Sequence, residues 1–319
     1  MNDNVFKVLA EVNKVILGKE DVVQRVLMAI LAQGHVLLED VPGTGKTTMA
    51  LAFAKSLGLG YKRIQFTSDT MPSDVIGFSV LDKRTGELVY KPGAIMTNLL
   101  LADEINRTSA KTQSALLEAM EEGRVTVDGI THDLPEPFVV LATENPTGSA
   151  GTQMLPNSQL DRFMVKLSMG YPGVESQARI LKERHARNPL DDVETVLTCD
   201  RLSSMIGEVA ELYIADSLYG YMSDLVEATR HDENVELGVS PRGAVALMRM
   251  SQAHAYVMGQ DHVEPEDVLA VLPDVCSHRL ILNAKARLNE VTAQTVIGRV
   301  AREVPIPQRS SDNPLRDRA

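Results

Sequence analysis

Val36-Leu37-Leu38-Glu39-Asp40-Val41-Pro42-Gly43-Thr44-Gly45-Lys46-Thr47-Thr48 is the stretch from which the rest of the chain can be read. Val36-Leu37-Leu38 is apolar at successive positions, the pattern of a strand covered on both faces. A glycine-rich turn follows, and then Met49, Ala50, Phe53, Ala54 and Leu57 recur at helical spacing up to Gly58. Strand, glycine-rich turn and helix in that order form the setting of a phosphate-binding loop. Glycines let backbone N–H groups turn inward around phosphate oxygens, and the helix N-terminus adds positive potential. Val41, Pro42, Gly43, Thr44, Gly45, Lys46, Thr47 and Thr48 are therefore the expected nucleotide contacts. Lys46 is expected to reach the β and γ phosphates, and Thr47 to place its hydroxyl on Mg²⁺. The pattern has glycine six residues before the lysine, where this chain has Asp40. Aspartate enters turn conformations more readily than most residues, so the loop is expected to survive the change.

Outward from the loop, strands and helices alternate. Ile64-Gln65-Phe66, Leu99-Leu100-Leu101-Ala102, Phe138-Val139-Val140-Leu141-Ala142 and Phe163-Met164-Val165 are four more strand candidates. Leu116, Leu117 and Met120 mark a helix closed by Gly123, and two helices with periodic valines precede Val36. This alternation predicts an α/β fold, a P-loop core with a parallel five-stranded sheet flanked by helices. Asp128-Gly129, between Val125-Thr126-Val127 and Ile130-Thr131-His132, signals a hairpin, and Ser79 to Tyr90 reads as a second. After Asn188-Pro189 strand signals fade and helical ones take over. The expected organisation is a core over residues 1–188, an all-α lid domain over 189–304 and a disordered tail over 305–319.

Leu99-Leu100-Leu101-Ala102-Asp103-Glu104 is an apolar strand ending in two carboxylates. Ligands of an open parallel sheet bind at the carboxyl ends of its strands. Asp103 is therefore expected to hold Mg²⁺, and Glu104 to activate the attacking water. Taken alone, two acids also suit a helix N-terminus; beside a phosphate loop the catalytic reading is preferred. Asn145, in Thr143-Glu144-Asn145-Pro146, follows another buried strand and is a candidate to position the water, or else a turn residue. Arg162 reads either as an arginine finger or as half of a surface salt bridge with Asp161. Ser240 and Pro241 look like an N-cap and first helical residue, which puts Arg242 in a first turn where a cation is disfavoured unless an anion faces it.

Composition narrows the function classes. The 319 residues carry a net charge of −11, which argues against general nucleic-acid binding, and the absence of tryptophan removes a stacking platform for bases. The two cysteines form no CxxC pair and are read as free structural thiols. No apolar run is long enough for a membrane span, and the start lacks a basic, apolar leader, so a cytoplasmic address is expected.

These blocks together resemble the MoxR family of AAA+ ATPases. The loop run, Pro92-Gly93-Ala94-Ile95, Leu101-Ala102-Asp103-Glu104-Ile105-Asn106-Arg107, the helix Lys111–Glu122, Thr143-Glu144-Asn145-Pro146, Leu160-Asp161-Arg162-Phe163 and Ser240-Pro241-Arg242 all carry the likeness. The family usually has proline where Ala94 stands. The resemblance implies that Asn145 is sensor 1, Arg162 the arginine finger and Arg242 sensor 2. It also implies that Val15-Ile16-Leu17-Gly18 lines the adenine pocket, through Ile16 and Gly18. It implies a homo-oligomeric ring, usually a hexamer, with ATP at subunit interfaces, Arg162 acting on the neighbour's nucleotide and Arg107 a further candidate there. It implies ATP-driven, chaperone-like remodelling of a protein client, often with a von Willebrand factor A domain partner. Two alternatives stay open: a motor subunit of a metal chelatase, told apart by its partner, and a nucleotide-gated binding module with little turnover.

Overall fold

Runs such as Leu99–Ala102 and Val139–Ala142 have no exposed face, so they must lie inside a layered sheet; in the computed structural model they are its central strands. The structure describes residues 2–41, 43–145, 155–185 and 188–307. Contacts divide it into two units, Asp3–Ile206 and Gly207 onward.

In the first unit α1 (Asp3–Asn13) and α2 (Glu20–Leu31) precede β1 (Val36–Glu39), and α3 (Lys46–Ser56) leads to β2 (Tyr61–Gln65). Next come α4 (Pro72–Ile76), an antiparallel hairpin of β3 (Gly77–Leu81) and β4 (Leu88–Pro92), β5 (Leu99–Asp103) and α5 (Ala110–Glu122). A second hairpin, β6 (Arg124–Val127) with β7 (Ile130–Asp133), precedes β8 (Val139–Glu144), α6 (Asn157–Leu160), β9 (Val165–Leu167) and α7 (Val174–Arg184). The five-stranded sheet has the order β2-β5-β8-β1-β9, and every pairing is parallel. Register brings strand ends together: Gln65 faces Asp103, Ala102 faces Ala142 and Glu39 faces Glu144. Between the sheet and α5 the core holds Leu37, Leu100, Leu116, Val140 and Phe163, all fully buried.

His35 is locked into this core. Its Nδ1 accepts from Val140 N at 3.1 Å, so its Nε2 carries the hydrogen and donates to Met120 O at 3.0 Å. Burial lowers its pKa to about 4.

Two details differ from the sequence-based expectation. The last strand begins at Val165, not Phe163, because Phe163 N donates to Leu160 O and closes the preceding turn, while its ring fills the core. The expected boundary at Asn188-Pro189 falls inside the first unit. Backbone donors Val196 and Leu197 bond to Ser56 O, and Lys55 Nζ donates to Leu190 O, so this segment packs on the core.

The units divide within α8 (Cys199–Ala210). Beyond it lie α9 (Asp216–His231), β10 (Val235–Leu237), α10 (Pro241–Met258), α11 (Pro265–Cys276), β11 (Ile281–Leu282), α12 (Ala284–Leu288) and α13 (Ala293–Glu303). The unit is helical apart from short strand pairings such as that of β10 with β11. Burial pushes the Cys276 thiol up to about 12, which leaves it inert. The expected tail lies outside the described residues from 308 on. Among the described residues no helix is long and apolar enough to cross a membrane.

Candidate active site

The turn before α3 and the carboxyl ends of the strands open onto a cavity of about 500 Å³ in the first unit. Gly43, Thr44, Gly45, Lys46, Thr47 and Thr48 line one side of it. Gly43 and Gly45 have φ of +86° and +97°, which residues with a side chain adopt only at a cost. That backbone delivers the N-terminus of α3, with its partial positive charge, to the cavity. Pro42 lies outside the described residues. Val41 does not line the cavity; its carbonyl accepts from Thr44 Oγ1 at 3.4 Å and so braces the loop. Lys46 Nζ rests on Asp40 O at 2.7 Å. Burial lowers the Lys46 pKa, opposed by Asp40, Asp103, Glu104 and Glu144.

The unusual Asp40 is a buried anchor. Its carboxylate accepts from Ser168 Oγ at 3.2 Å, from Gly170 N at 3.0 Å and from Met169 N. These bonds tie the end of β1 to the segment after β9, a fixture that glycine cannot provide.

Asp103 and Glu104 both line the cavity. Asp103 Oδ1 accepts from Thr143 Oγ1 at 2.6 Å, and Oδ2 from Arg63 at 2.6 Å. Glu104 has φ 55° and ψ 50°, and its N–H donates to Thr143 Oγ1 at 2.8 Å. Its Oε2 accepts from Arg107 at 2.7 Å. Asn145 lines the cavity beside them, and its carbonyl accepts from Asn106 Nδ2 at 3.2 Å. A charged triad lies at the same edge: Lys166 Nζ is 2.9 Å from Glu39 and 3.1 Å from Glu144. Burial raises the Glu144 pKa, and Lys166 opposes the rise.

Residues 35–165 match the model of the ATPase family associated with various cellular activities (AAA), and residues 227–300 match that of the AAA lid domain. Chaperone MoxR1 of Mycobacterium tuberculosis is 38% identical over 311 residues, which cover 95% of this chain and 82% of that protein. The chain belongs to the MoxR family of AAA+ ATPases. It is an ATP-hydrolysing enzyme of that family. An uncharacterized Bacillus subtilis protein, YeaC, is 46% identical over 306 residues, 96% of each chain. A crystal structure from Cytophaga hutchinsonii, assigned as an ATPase, superposes with a TM-score of 0.89 at 36% identity over 96% of each chain.

In this MoxR-family chain apolar residues line the cavity as well, namely Val15, Ile16, Leu17, Met169, Pro172 and Ile180. Gly18 does not line the cavity. It turns the chain with φ +69°, and a Cβ there would sit 2.3 Å from Ser176 Oγ of α7.

The two arginines are placed differently. Arg162 is not among the cavity residues, and its guanidinium pairs with Glu121 of α5 at 3.3 Å. Arg242 lies in the second unit, in the first turn of α10, where Ser240 Oγ caps Gly243 N at 3.1 Å as its sequence suggests. Sequence reasoning missed Arg63, Thr143 and Glu144. Arg63 stands in the edge strand β2 among polar neighbours, and Thr143 reads as an ordinary β-branched strand residue. Their partners lie about forty positions away in sequence, so no local pattern announces them.

Proposed function

We propose that this ATPase binds magnesium ATP in the cavity and uses hydrolysis to remodel or assemble a protein client. The reading is carried by one observation. Lys46, Thr47, Asp103, Glu104 and Asn145, drawn from separate strand ends and the α3 turn, line a single cavity. The Thr47 hydroxyl and the Asp103 carboxylate are hard oxygen donors, which suits Mg²⁺. With one bond on each oxygen, Asp103 keeps lone pairs free for the metal or its waters. Bound there, the metal neutralises charge on the phosphate oxygens.

The chain's own groups do the rest. Gly43, Thr44, Gly45 and Thr48 cradle phosphate, flanked by Val41 and Pro42, and Lys46 holds the β and γ oxygens. Ile16 covers the base, and Gly18 shapes the turn beside it. Glu104 takes a proton from the water that attacks the γ phosphorus while the bond to ADP breaks. Asn145 orients that water. Arg162, outside its own chain's cavity, serves the neighbouring subunit's nucleotide in a ring, a hexamer, and Arg242 senses the γ phosphate. The word chaperone in the name of the Mycobacterium relative supports a protein client; a cytoplasmic setting and a von Willebrand factor A domain partner complete the reading.

Phosphate release by wild type and Glu104→Gln tests it. The variant should keep magnesium ATP and lose turnover by about a hundredfold or more. Oligomeric wild type that turns over no faster than the variant would sink the proposal. Crosslinking the trapped variant in its native cell should recover a protein client.

A further inference from the structure

We infer that Thr143 is the positioning residue for both acids used in hydrolysis, an inference that rests on the roles proposed above for Asp103 and Glu104. Thr143 is 1% exposed near the end of β8. Because Ala102 pairs with Ala142, the next residues along the two strands, Asp103 and Thr143, stand side by side. A hydroxyl has one hydrogen and two lone pairs. Here the hydrogen goes to Asp103 Oδ1 at 2.6 Å, and a lone pair takes the N–H of Glu104 at 2.8 Å. One buried oxygen therefore sets both neighbouring acids.

Each bond has its own consequence. The bond to Asp103 is short and charge-assisted, so it fixes the carboxylate's rotation and leaves Oδ2 facing Arg63. The bond from Glu104 N stabilises a left-handed backbone, which a non-glycine residue adopts only at a cost. That turn carries the Glu104 side chain into the cavity. A threonine buried for packing alone would need neither acid as its partner; valine fills the same space with no hydroxyl.

The test uses the full chain as wild type, Thr143→Val, Thr143→Ser, Glu104→Gln and the Val/Gln double variant. Readouts are kcat and KM for ATP, the Mg²⁺ dependence of the rate, affinity for a fluorescent ATP analogue, and melting temperature. Thr143→Val should lower kcat by about a hundredfold with KM close to wild type, the loss that misplacing a general base produces. The rate should need more Mg²⁺, serine should restore most of the lost rate, and at saturating Mg²⁺ the valine change should cost nothing further in a Glu104→Gln background. Thr143→Ala replaces valine if the valine chain does not fold. The positioning role is overturned if valine keeps wild-type kcat, or if serine is as impaired as valine. Losses of kcat and affinity that merely follow a lowered melting temperature overturn it too. A dead Glu104→Gln beside an active Thr143→Val removes only the role of Thr143. A fully active Glu104→Gln removes the base assignment and, with it, this inference.

Discussion

Asp40 and Asp103 are both aspartates at the carboxyl edge of one sheet, yet the fold treats them in opposite ways. Asp40 is buried, and its donors are Ser168 Oγ and the backbone N–H groups of Met169 and Gly170. Asp103 is held by side chains alone, Thr143 on one oxygen and Arg63 on the other. Backbone donors cannot move without moving the chain, so they make a carboxylate part of the framework. Side-chain donors orient a carboxylate and still leave it able to take a ligand. The same residue type thus serves architecture at β1 and, in the function proposed above, chemistry at β5, and the identity of the donors separates the two.

The sharpest way to break this contrast is Asp40→Ala. It takes the acceptor from the buried Met169 N–H and from the partly buried Gly170 N–H, and should destabilise the chain by about 3 kcal/mol in denaturant unfolding. Turnover at saturating ATP should fall far less than in Glu104→Gln. If the variant instead melts like wild type and loses all hydrolysis, Asp40 belongs with Asp103.

His35, just before β1, is a second group that the backbone satisfies, and it titrates. Its pKa is about 4 when folded and near 6.5 when unfolded. Between those values the unfolded chain binds the extra proton, so stability rises with pH and is lost as pH falls. The loss from pH 6.5 to 4.5 should be about 2 kcal/mol. Denaturant midpoints over that range should show this slope in wild type and a shallower one in His35→Gln. Equal slopes would mean that other groups set the acid limit.

The smallest effect belongs to the side-chain-held acid. The Arg63 side chain is 45% exposed and Thr143 still holds Asp103 without it. Arg63→Ala should therefore shift stability by less than about 1 kcal/mol. A loss of stability as large as that of Asp40→Ala would erase the distinction between the two aspartates.

The features legible in sequence were those encoded locally. Val36–Thr48 contains its own strand, turn and helix start, so the loop and Lys46 could be placed without any partner. Buried runs ending in Asp103-Glu104 and in Asn145 announced themselves in the same way. What stayed hidden depends on the strand order β2-β5-β8-β1-β9. Asp40 looked like a flaw in a glycine-rich pattern until the segment after β9 supplied its donors. Arg162 reads in sequence either as an arginine finger or as half of a salt bridge with Asp161, and only the fold brings Glu121 to it from the end of α5. The segment after Asn188-Pro189 lacks strand character, yet Leu190, Val196 and Leu197 bond to Lys55 and Ser56 of the first unit, contacts that no local pattern announces.

Gly18 carries one more implication. Two separate obstacles exclude a side chain there, its left-handed φ and the hydroxyl of Ser176. Turning Ser176 aside removes only the second, and a residue tolerant of the φ still meets the first neighbour it grows towards. A side chain placed at Gly18 would therefore be felt in the first turn of α7, which supplies Ser176.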